Sequence, residues 1–461
     1  MGGRFVALFK STGRCFCFFA AHVLTIRESL WNNFKPMSAN IPGSRGAQCG
    51  MLGGLKEVLM VKNPILSFIL LTLLLADVTS CSRDNRSMHE RVRDALEYRL
   101  EQYGVRGASA AIILPDGSIH RITAGFSHDT VAMKPSMLFA VGSITKNVVA
   151  ALVLQLAEEG LLSLEDPLRK WLPAYPHVDS TITIRQLLAH TSGIFMFWEN
   201  QKLWDDLIRY RDSVFTPEVV LTYLKEPDFA PGRGFRYSNT NYLLLAKIVT
   251  RATGSTLSSQ LRRRFWQPLG LASTYLSMEE EIPSDRLAHV WGDNFEKGGS
   301  IRDLTFLPRA SHESITYGSA GVFASAGDLA VWCKSLFGGK VLTSSSLDQL
   351  LAFNPAAAGS WCEGYGLGVF RFKKNITNGE EAYGHGGGNV GTSAYMAYLP
   401  EYGVSITLMI NAMHGKCPDR MLEDIIEIVT DQIHRDERLQ RDSVSGLLRQ
   451  VFQESGRQAE S

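Results

Sequence analysis

Ser143-Ile-Thr-Lys-Asn-Val-Val-Ala-Ala-Leu-Val-Leu-Gln-Leu-Ala157 is the stretch on which the reading of this 461-residue chain turns. From Asn147 to Ala157 it is apolar nearly all round, and a helix without a polar face is buried rather than laid on a surface. Ser143 and Lys146 stand at its start. Three residues apart on a helix they share a face, so the lysine amine can approach the serine hydroxyl. Desolvation and the positive end of the helix dipole both disfavour an ammonium there. Both effects lower the pKa of Lys146 and equip it to take the Ser143 proton, which makes a nucleophile and base pair. The S-x-x-K pattern alone carries little weight, because 40 serines and 16 lysines give about 1.4 matches by chance and one is found. Its place at the head of the most apolar helix is what marks it. The ordinary alternative is a capping serine beside a solvated lysine.

Two further stretches hold groups that could act with this pair. Pro231-Gly-Arg-Gly-Phe-Arg-Tyr237-Ser-Asn239 is a turn-rich loop leading into a helix at Tyr242 to Ala252. Two residues apart in extended chain, Tyr237 and Asn239 point to one side. Tyr237 could pass a proton if its phenol is held near Lys146, and Asn239 could hydrogen-bond a substrate amide or carbonyl. Equally, Asn239 is a good N-cap for that helix and Tyr237 an ordinary half-buried aromatic. The third stretch, Gly384-His385-Gly386-Gly387-Gly388-Asn389-Val390-Gly391, precedes an alternating strand at Thr392 to Leu399. No amphipathic helix follows it, so it is not a phosphate loop. Glycines leading into a strand let another backbone or a ligand approach closely, or else form a flexible hairpin entrance.

Outward from these motifs, strand character lies at the two ends of the body and helices lie between. His89 to Tyr103 has an amphipathic helical stripe, and Gly107 to Leu114 and Ile119 to Phe126 flank the turn Pro115-Asp116-Gly117 as a hairpin. Helices follow at Asn147 to Glu159, Ile184 to His190, Pro217 to Leu224, Tyr242 to Ala252 and Leu257 to Trp266. Ser325-Ala-Gly-Asp328 reads as a capping box opening a helix through Leu336. Strands return at Gly364 to Phe372, Ser393 to Leu399 and Val404 to Asn411, with Asn378-Gly379 as a hairpin signal between the first two. A helix at Arg420 to Ile433 then ends the fold. The pattern predicts an α/β fold of the α+β type, an antiparallel sheet flanked by N- and C-terminal helices. The sheet domain is assigned to residues 82–142 and 316–435, an inserted all-helical domain to 143–315, and a polar frayed tail to 436–461.

Ser143-Ile-Thr-Lys146, Tyr237-Ser-Asn239 and His385-Gly-Gly387, in this order, resemble the motifs of the serine hydrolases of the penicillin-binding protein and β-lactamase superfamily. The likeness covers about Ser87 to Ile433 and is strongest to secreted D-alanyl-D-alanine carboxypeptidases, class C β-lactamases and their esterase relatives. Thr181-Ile-Thr-Ile-Arg-Gln-Leu-Leu-Ala-His-Thr-Ser-Gly193 and Gly318-Ser-Ala-Gly-Val-Phe-Ala-Ser-Ala-Gly-Asp328 look like accessory stretches of the same family. The resemblance implies a β-lactamase/transpeptidase-like fold in which Ser143 is acylated, Lys146 and Tyr237 move the protons, and Asn239 steadies substrate and Lys146. It implies an oxyanion hole from the backbone N–H groups of Ser143 and Gly388, and no cofactor or metal. The third motif departs from the Lys-Thr-Gly or His-Thr-Gly common in the family. Gly386 removes a hydroxyl donor to a substrate carboxylate, so esters and other amides gain on D-alanyl peptides and β-lactams. A non-catalytic penicillin-binding or sensor domain is the reading of another class, and the intact Ser143, Lys146 and Tyr237 argue against it. No G-x-S-x-G, H-E-x-x-H or G-x-x-x-x-G-K-[ST] occurs to support a rival chemistry.

The whole chain has 47 basic and 46 acidic side chains. Residues 1–80 carry eight basic and three acidic ones, so the body is mildly acidic and excluded as a nucleic-acid binder. The partners expected are a small-molecule or peptide substrate, namely a peptidoglycan stem peptide, a β-lactam or an ester. Lys62-Asn63-Pro64, the twelve uncharged residues Ile65 to Ala76 and the small residues up to Ser80 describe a secretory signal peptide over 60–80. Its end looks like a lipobox, which makes Cys81 the lipidation site and the mature protein an exported, periplasmic or membrane-anchored lipoprotein. Residues 1–59 read either as a miscalled start or as a genuine extension. Cys333, Cys362 and Cys417 are too few and too scattered for a disulfide scaffold or a four-cysteine zinc site, although one bridge is allowed.

Overall fold

The computed structural model describes residues 86–292, 301–305, 310–359, 362–414 and 416–459. The leader expected over 1–80 and the lipidation expected at Cys81 lie outside the described residues. Helix α1 (Met88–Tyr103) starts at Ser87, whose side chain accepts from the Glu90 N–H while the Glu90 side chain accepts from the Ser87 N–H. It stops at Gly104, in the left-handed conformation that a glycine adopts without strain. Met88, Val92, Leu96 and Leu100 form its buried stripe. The expected hairpin follows as β1 (Gly107–Ile113) and β2 (Ile119–His128), with Asp116 Oδ1 accepting from the Ser118 N–H at 2.9 Å to close the turn. β3 (Val131–Ala132) adds an edge to β2.

Helix α2 (Ile144–Glu158) is the apolar helix and is buried at every position from Ile144 to Leu154. Helix α3 (Ile184–Leu188) is capped reciprocally by Thr183 and Gln186. Helix α4 (Asn239–Thr253) begins three residues earlier than expected, with Ser238 as its N-cap, which puts Asn239 inside the first turn rather than in the capping position. Pro217–Leu221 is shorter than predicted, and Leu257–Leu261 passes into a π-helical turn over Arg262–Trp266.

The inserted region is not all helix: it contains β5 (Thr274–Leu276), which joins β4 (Phe139–Ala140) and β8 (Val322–Ala324) from outside its bounds in a small sheet of order β4-β8-β5, and β6 (Trp291–Gly292) paired with β7 (Arg302–Asp303). Helix α5 (Ala326–Phe337) opens with half of the expected capping box. Ser325 Oγ accepts from the Asp328 N–H at 3.2 Å, but the Asp328 carboxylate accepts instead from the Ser273 N–H at 2.6 Å and the Thr274 hydroxyl at 3.0 Å. A tertiary partner outbid the local one because those two donors of β5 would otherwise be buried unpaired.

Gly364 to Phe372, expected as one strand, is two: β9 (Cys362–Tyr365) and β10 (Phe370–Phe372), turned back through Gly368 at φ +75°. Asn378 and Gly379, both at positive φ, do reverse the chain after β10. The strand they deliver is β11 (Tyr383–Asn389), the glycine-rich run itself. β12 (Thr392–Leu399) and β13 (Val404–Ile410) complete an eight-stranded sheet in the order β3-β2-β1-β13-β12-β11-β10-β9, antiparallel at each step. The first and last strands of the body meet at β1 and β13, with Ala110 opposite Leu408, so the inserted elements leave and re-enter one sheet.

Helix α6 (Cys417–Ala459) continues through the stretch expected to be a frayed tail. The tail is mostly polar, but Val444, Leu447, Leu448, Val451 and Phe452 recur at helical spacing in it, and just before them Arg435 pairs with Asp431 at 2.9 Å and Arg441 with Glu437 at 3.6 Å, four residues apart as suits a helix. Its first half packs on α1, joined by Arg99 to Asp424 at 2.7 Å and Arg91 to Asp431 at 2.7 Å. Cys333, Cys362 and Cys417 are buried free thiols. Among the described residues no helix is long and apolar enough to cross a membrane.

Candidate active site

Ser143 sits on the residue before α2, with Gly142 ahead of it at φ +54° making the turn from β4. Lys146 is one helical turn on and has no exposed surface. Its Nζ lies 3.0 Å from Ser143 Oγ and donates to the Ser319 carbonyl oxygen at 2.9 Å. Burial holds its pKa well below the ordinary lysine value, and no carboxylate offsets that loss of hydration. In its unprotonated form Lys146 can keep one N–H on Ser319 and offer its lone pair to the Ser143 hydroxyl, the arrangement a general base requires.

Tyr237 comes to the same place from the loop before α4. Its phenol hydrogen-bonds Ser143, and Lys146 Nζ stands 4.8 Å from the centre of its ring. Desolvation pushes the phenol well above its ordinary value, so Tyr237 carries its proton at neutral pH. Of the two groups beside Ser143, the buried Lys146 amine rather than the phenol has the lowered pKa that a general base requires. The loop is held by His190, which is fully buried and at φ +56°. Its carbonyl accepts from the Arg236 N–H at 3.0 Å, its Nδ1 accepts from the Ser238 N–H at 3.1 Å, and its ring lies 4.3 Å from that of Tyr237. Burial depresses the His190 pKa well below the ordinary imidazole value, so the ring is a neutral imidazole, and with Nδ1 accepting from Ser238 its proton is on Nε2.

Asn239 does not meet the expectation of steadying Lys146. The amine bonds Ser143 and Ser319 instead, and Asn239 Oδ1 is buried without a partner. In the N-terminal turn of α4 the Asn239 backbone N–H donates to Met196 Sδ at 3.0 Å.

The glycines of β11 let the strand pass against the backbone before α2. A Cβ on Gly387 would stand 1.9 Å from the Val141 carbonyl oxygen, and one on Gly142 would meet the backbone of Gly388 at 2.5 to 2.8 Å. Contact this close brings the Gly388 and Ser143 backbones together, as an oxyanion hole shared between them requires. His385 is buried behind the strand, its Nδ1 donating to the Gly386 carbonyl at 2.6 Å. Burial, with Lys146 second, pushes its pKa down to about 3, so the third motif presents no positive charge at neutral pH.

These elements border a cleft of about 530 Å³ whose lining includes Ser143, Tyr237, His385, the glycines of β11, Phe235, Phe370 and Tyr395. A larger groove of about 860 Å³ near Trp171 and Tyr317 holds none of the candidate residues. Ser143, Lys146, Tyr237, His385, Gly386, Gly387 and Gly388 are thus gathered at one site. Sequence reasoning missed the Ser319 carbonyl and the His190 bracket. Both lie in the accessory stretches, where a histidine between apolar helix and Thr-Ser-Gly was the available signal. Among the described residues no group of three or more His, Cys, Asp or Glu side chains is arranged to hold a metal.

Comparison with known proteins agrees with this geometry. The chain is 27% identical over 345 residues to penicillin-binding protein 4 of Amycolatopsis lactamdurans, covering 70% of this chain and 85% of that one. It is 29% identical over 283 residues to esterase EstB of Burkholderia gladioli, covering 55% and 71%. Among solved structures, a D-stereospecific amidohydrolase from Streptomyces sp. superposes with a TM-score of 0.64 at 28% identity, over 73% of this chain and 97% of that one. The sheet, its covering helices and the inserted helical region are those of the β-lactamase/transpeptidase fold. Residues 92–430 match the Beta-lactamase family model, and the chain belongs to that family of serine hydrolases.

Proposed function

We propose that the chain hydrolyses amides or esters through an acyl-enzyme on Ser143. The observation that carries this reading is a fully buried amine 3.0 Å from the Ser143 hydroxyl, its pKa held well below the ordinary lysine value by desolvation. Lys146 takes the Ser143 proton as Oγ attacks the carbonyl carbon. The oxyanion forms against the Ser143 and Gly388 N–H groups, which in other hydrolases are worth about 3 kcal/mol each. Tyr237 delivers its proton to the leaving group and is reprotonated from Lys146. Water then attacks the acyl carbon with the same groups in reverse, releasing the acid.

Carboxylate-bearing substrates, such as D-alanyl peptides and β-lactams, fit this cleft less well than neutral esters and amides. His385 is uncharged and Gly386 has no hydroxyl, so the third motif offers neither a cation nor a side-chain donor for a carboxylate. Intact mass after incubation with a penicillin and, separately, with 4-nitrophenyl acetate tests both halves. The expected result is an acetyl adduct absent from Ser143→Ala, with little penicilloyl adduct. A stable Ser143-dependent penicilloyl adduct would return the protein to the carboxypeptidase reading. Labelling that survives Ser143→Ala would end the proposal.

Export with a lipid anchor on Cys81 belongs to the same proposal and rests on the segment 60–80. Detergent partitioning of Cys81→Ala checks it, since a variant that stays with the membrane would refute the anchor.

A further inference from the structure

We propose that Tyr395, which lines the cleft, and Asp419, which accepts its hydroxyl hydrogen, form a subsite for an ammonium group on the substrate, so that the enzyme prefers amino-bearing amides and esters. This rests on the acyl-enzyme reading above and names the substrate class it serves.

Gly386 and Tyr395 are directly opposite in the β11–β12 pair and so share a face of the sheet. A Cβ on Gly386 would stand 3.0 Å from Tyr395 Cε1, which means that the ring fills the space a side chain at 386 would need. Where a hydroxyl at 386 would donate, the cleft instead meets a phenol. That phenol donates its proton to Asp419 Oδ1, in the first turn of α6. With its one O–H committed to the carboxylate, the Tyr395 oxygen has only lone pairs left for the cleft, and it accepts there.

The charge around it points the same way. No Lys, Arg, Asp or Glu is among the residues that line the cleft, and Pro418, the residue before Asp419, is one of them. Among the described residues no lysine or arginine lies within ion-pair distance of Asp419, and the neighbouring Arg420 is turned to Glu423. Burial pushes the Asp419 pKa up, outweighing the Tyr395 hydrogen bond and the charge of Arg420, both of which lower it, so the carboxylate is only partly compensated. An N–H-bearing cation against the Tyr395 oxygen would supply both the missing donor and the missing charge. The aromatic rings of Phe235 and Phe370 suit an apolar group carried next to it.

The test is protection of Ser143 from a fluorophosphonate, followed by intact mass, with 2-phenylethylammonium or its neutral counterpart 2-phenylethanol as competitor. The ammonium is expected to protect at concentrations about tenfold lower than the alcohol, the worth of a hydrogen bond to a charged group. Tyr395→Phe and Asp419→Asn, each measured against its own uncompeted rate, are expected to remove that preference. Tyr395→Phe keeps the ring and therefore the packing over Gly386, so the result stands even where Asp419→Asn fails to fold. Titration calorimetry of the two competitors reads the same preference without any reaction. Equal binding of ammonium and alcohol to the wild-type protein would overturn the proposal, as would a preference that survives both substitutions. Failure of the fluorophosphonate to label Ser143 would instead strike the acyl-enzyme reading, with calorimetry still deciding the subsite.

Discussion

Replacing the three glycines of the third motif one at a time should separate packing from chemistry. A methyl on Gly387 points at backbone, 1.9 Å from the Val141 oxygen and 3.0 Å from both the Val141 carbonyl carbon and Ser143 N. A carbon beside a carbonyl oxygen settles at about 3.3 Å, so β11 and the start of α2 must part by about 1.4 Å. That parts the two N–H groups aimed at one oxyanion, and a misplacement near 1 Å costs about a hundredfold in rate. A methyl on Gly388 meets nothing nearer than Met413 Cε at 3.9 Å and Thr392 O at 4.0 Å. A methyl on Gly386 meets the Tyr395 ring edge at 3.0 Å, which can tip by a few tenths of an ångström. The expected order of acylation by 4-nitrophenyl acetate is therefore Gly388→Ala nearest to wild type, then Gly386→Ala, with Gly387→Ala about a hundredfold down. Far-UV spectra of all three should match, because no substitution touches a ladder hydrogen bond. Gly387→Ala within about threefold of wild type, or Gly388→Ala as slow as Gly387→Ala, would refute the placement of the oxyanion donors.

Other outcomes follow from the same geometry. Ser143→Ala should abolish turnover of every substrate found while leaving the far-UV spectrum unchanged, and retained turnover would remove the nucleophile. Lys146→Met should slow acylation by orders of magnitude and yet stabilise the fold. The folded pKa lies below the unfolded one, so the unfolded chain binds a proton that the native chain refuses. That costs native stability about 1.4 kcal/mol per unit of depression, less about 1 kcal/mol for the bond to Ser319 that methionine forgoes. Denaturant midpoints should rise with pH in the wild type up to the ordinary lysine range and lose this slope in the variant; a less stable Lys146→Met would contradict a buried neutral amine. Acylation itself should fall as pH drops through the depressed Lys146 pKa. Neither His385, already neutral with its pKa near 3, nor Tyr237, raised by burial, adds a limb near neutrality.

Much of this site was legible because the chemistry is local where the signal is local. Ser143 and Lys146 are one helical turn apart, so a sequence pattern is already a distance. The hairpin around Asp116-Gly117 and the stripe of α1 were readable for the same reason. What failed was set by partners far along the chain. Asp328 obeys β5 and not its own N-cap. Gly384 to Gly388 have poor strand propensity, and they form β11 because β12 pairs with them and the backbone of Val141 leaves no room for side chains. The helical tail is the exception, missed for a local reason: Val444, Leu447, Leu448, Val451 and Phe452 recur at helical spacing inside a stretch whose composition is polar.

The places where this fold breaks its own local rules converge on one point. Lys146 is a cation-forming side chain with no exposed surface and no counter-charge. His190 holds a backbone conformation uncommon for a side-chain-bearing residue and buries an Nε2–H without a partner. Asn239 buries an amide oxygen in the same state. Each arrangement opposes folding, and a structure chosen for stability alone would replace all three. They are tied together through Tyr237: Lys146 lies against its ring, His190 brackets it from both flanking residues, and Asn239 follows two positions on. Strain gathered around one phenol and one serine hydroxyl is what preorganised proton transfer demands, because groups already desolvated and fixed need not reorganise when the carbonyl is attacked. The third motif adds no cation of its own to this arrangement, because burial keeps His385 neutral and the residues lining the cleft include no lysine or arginine.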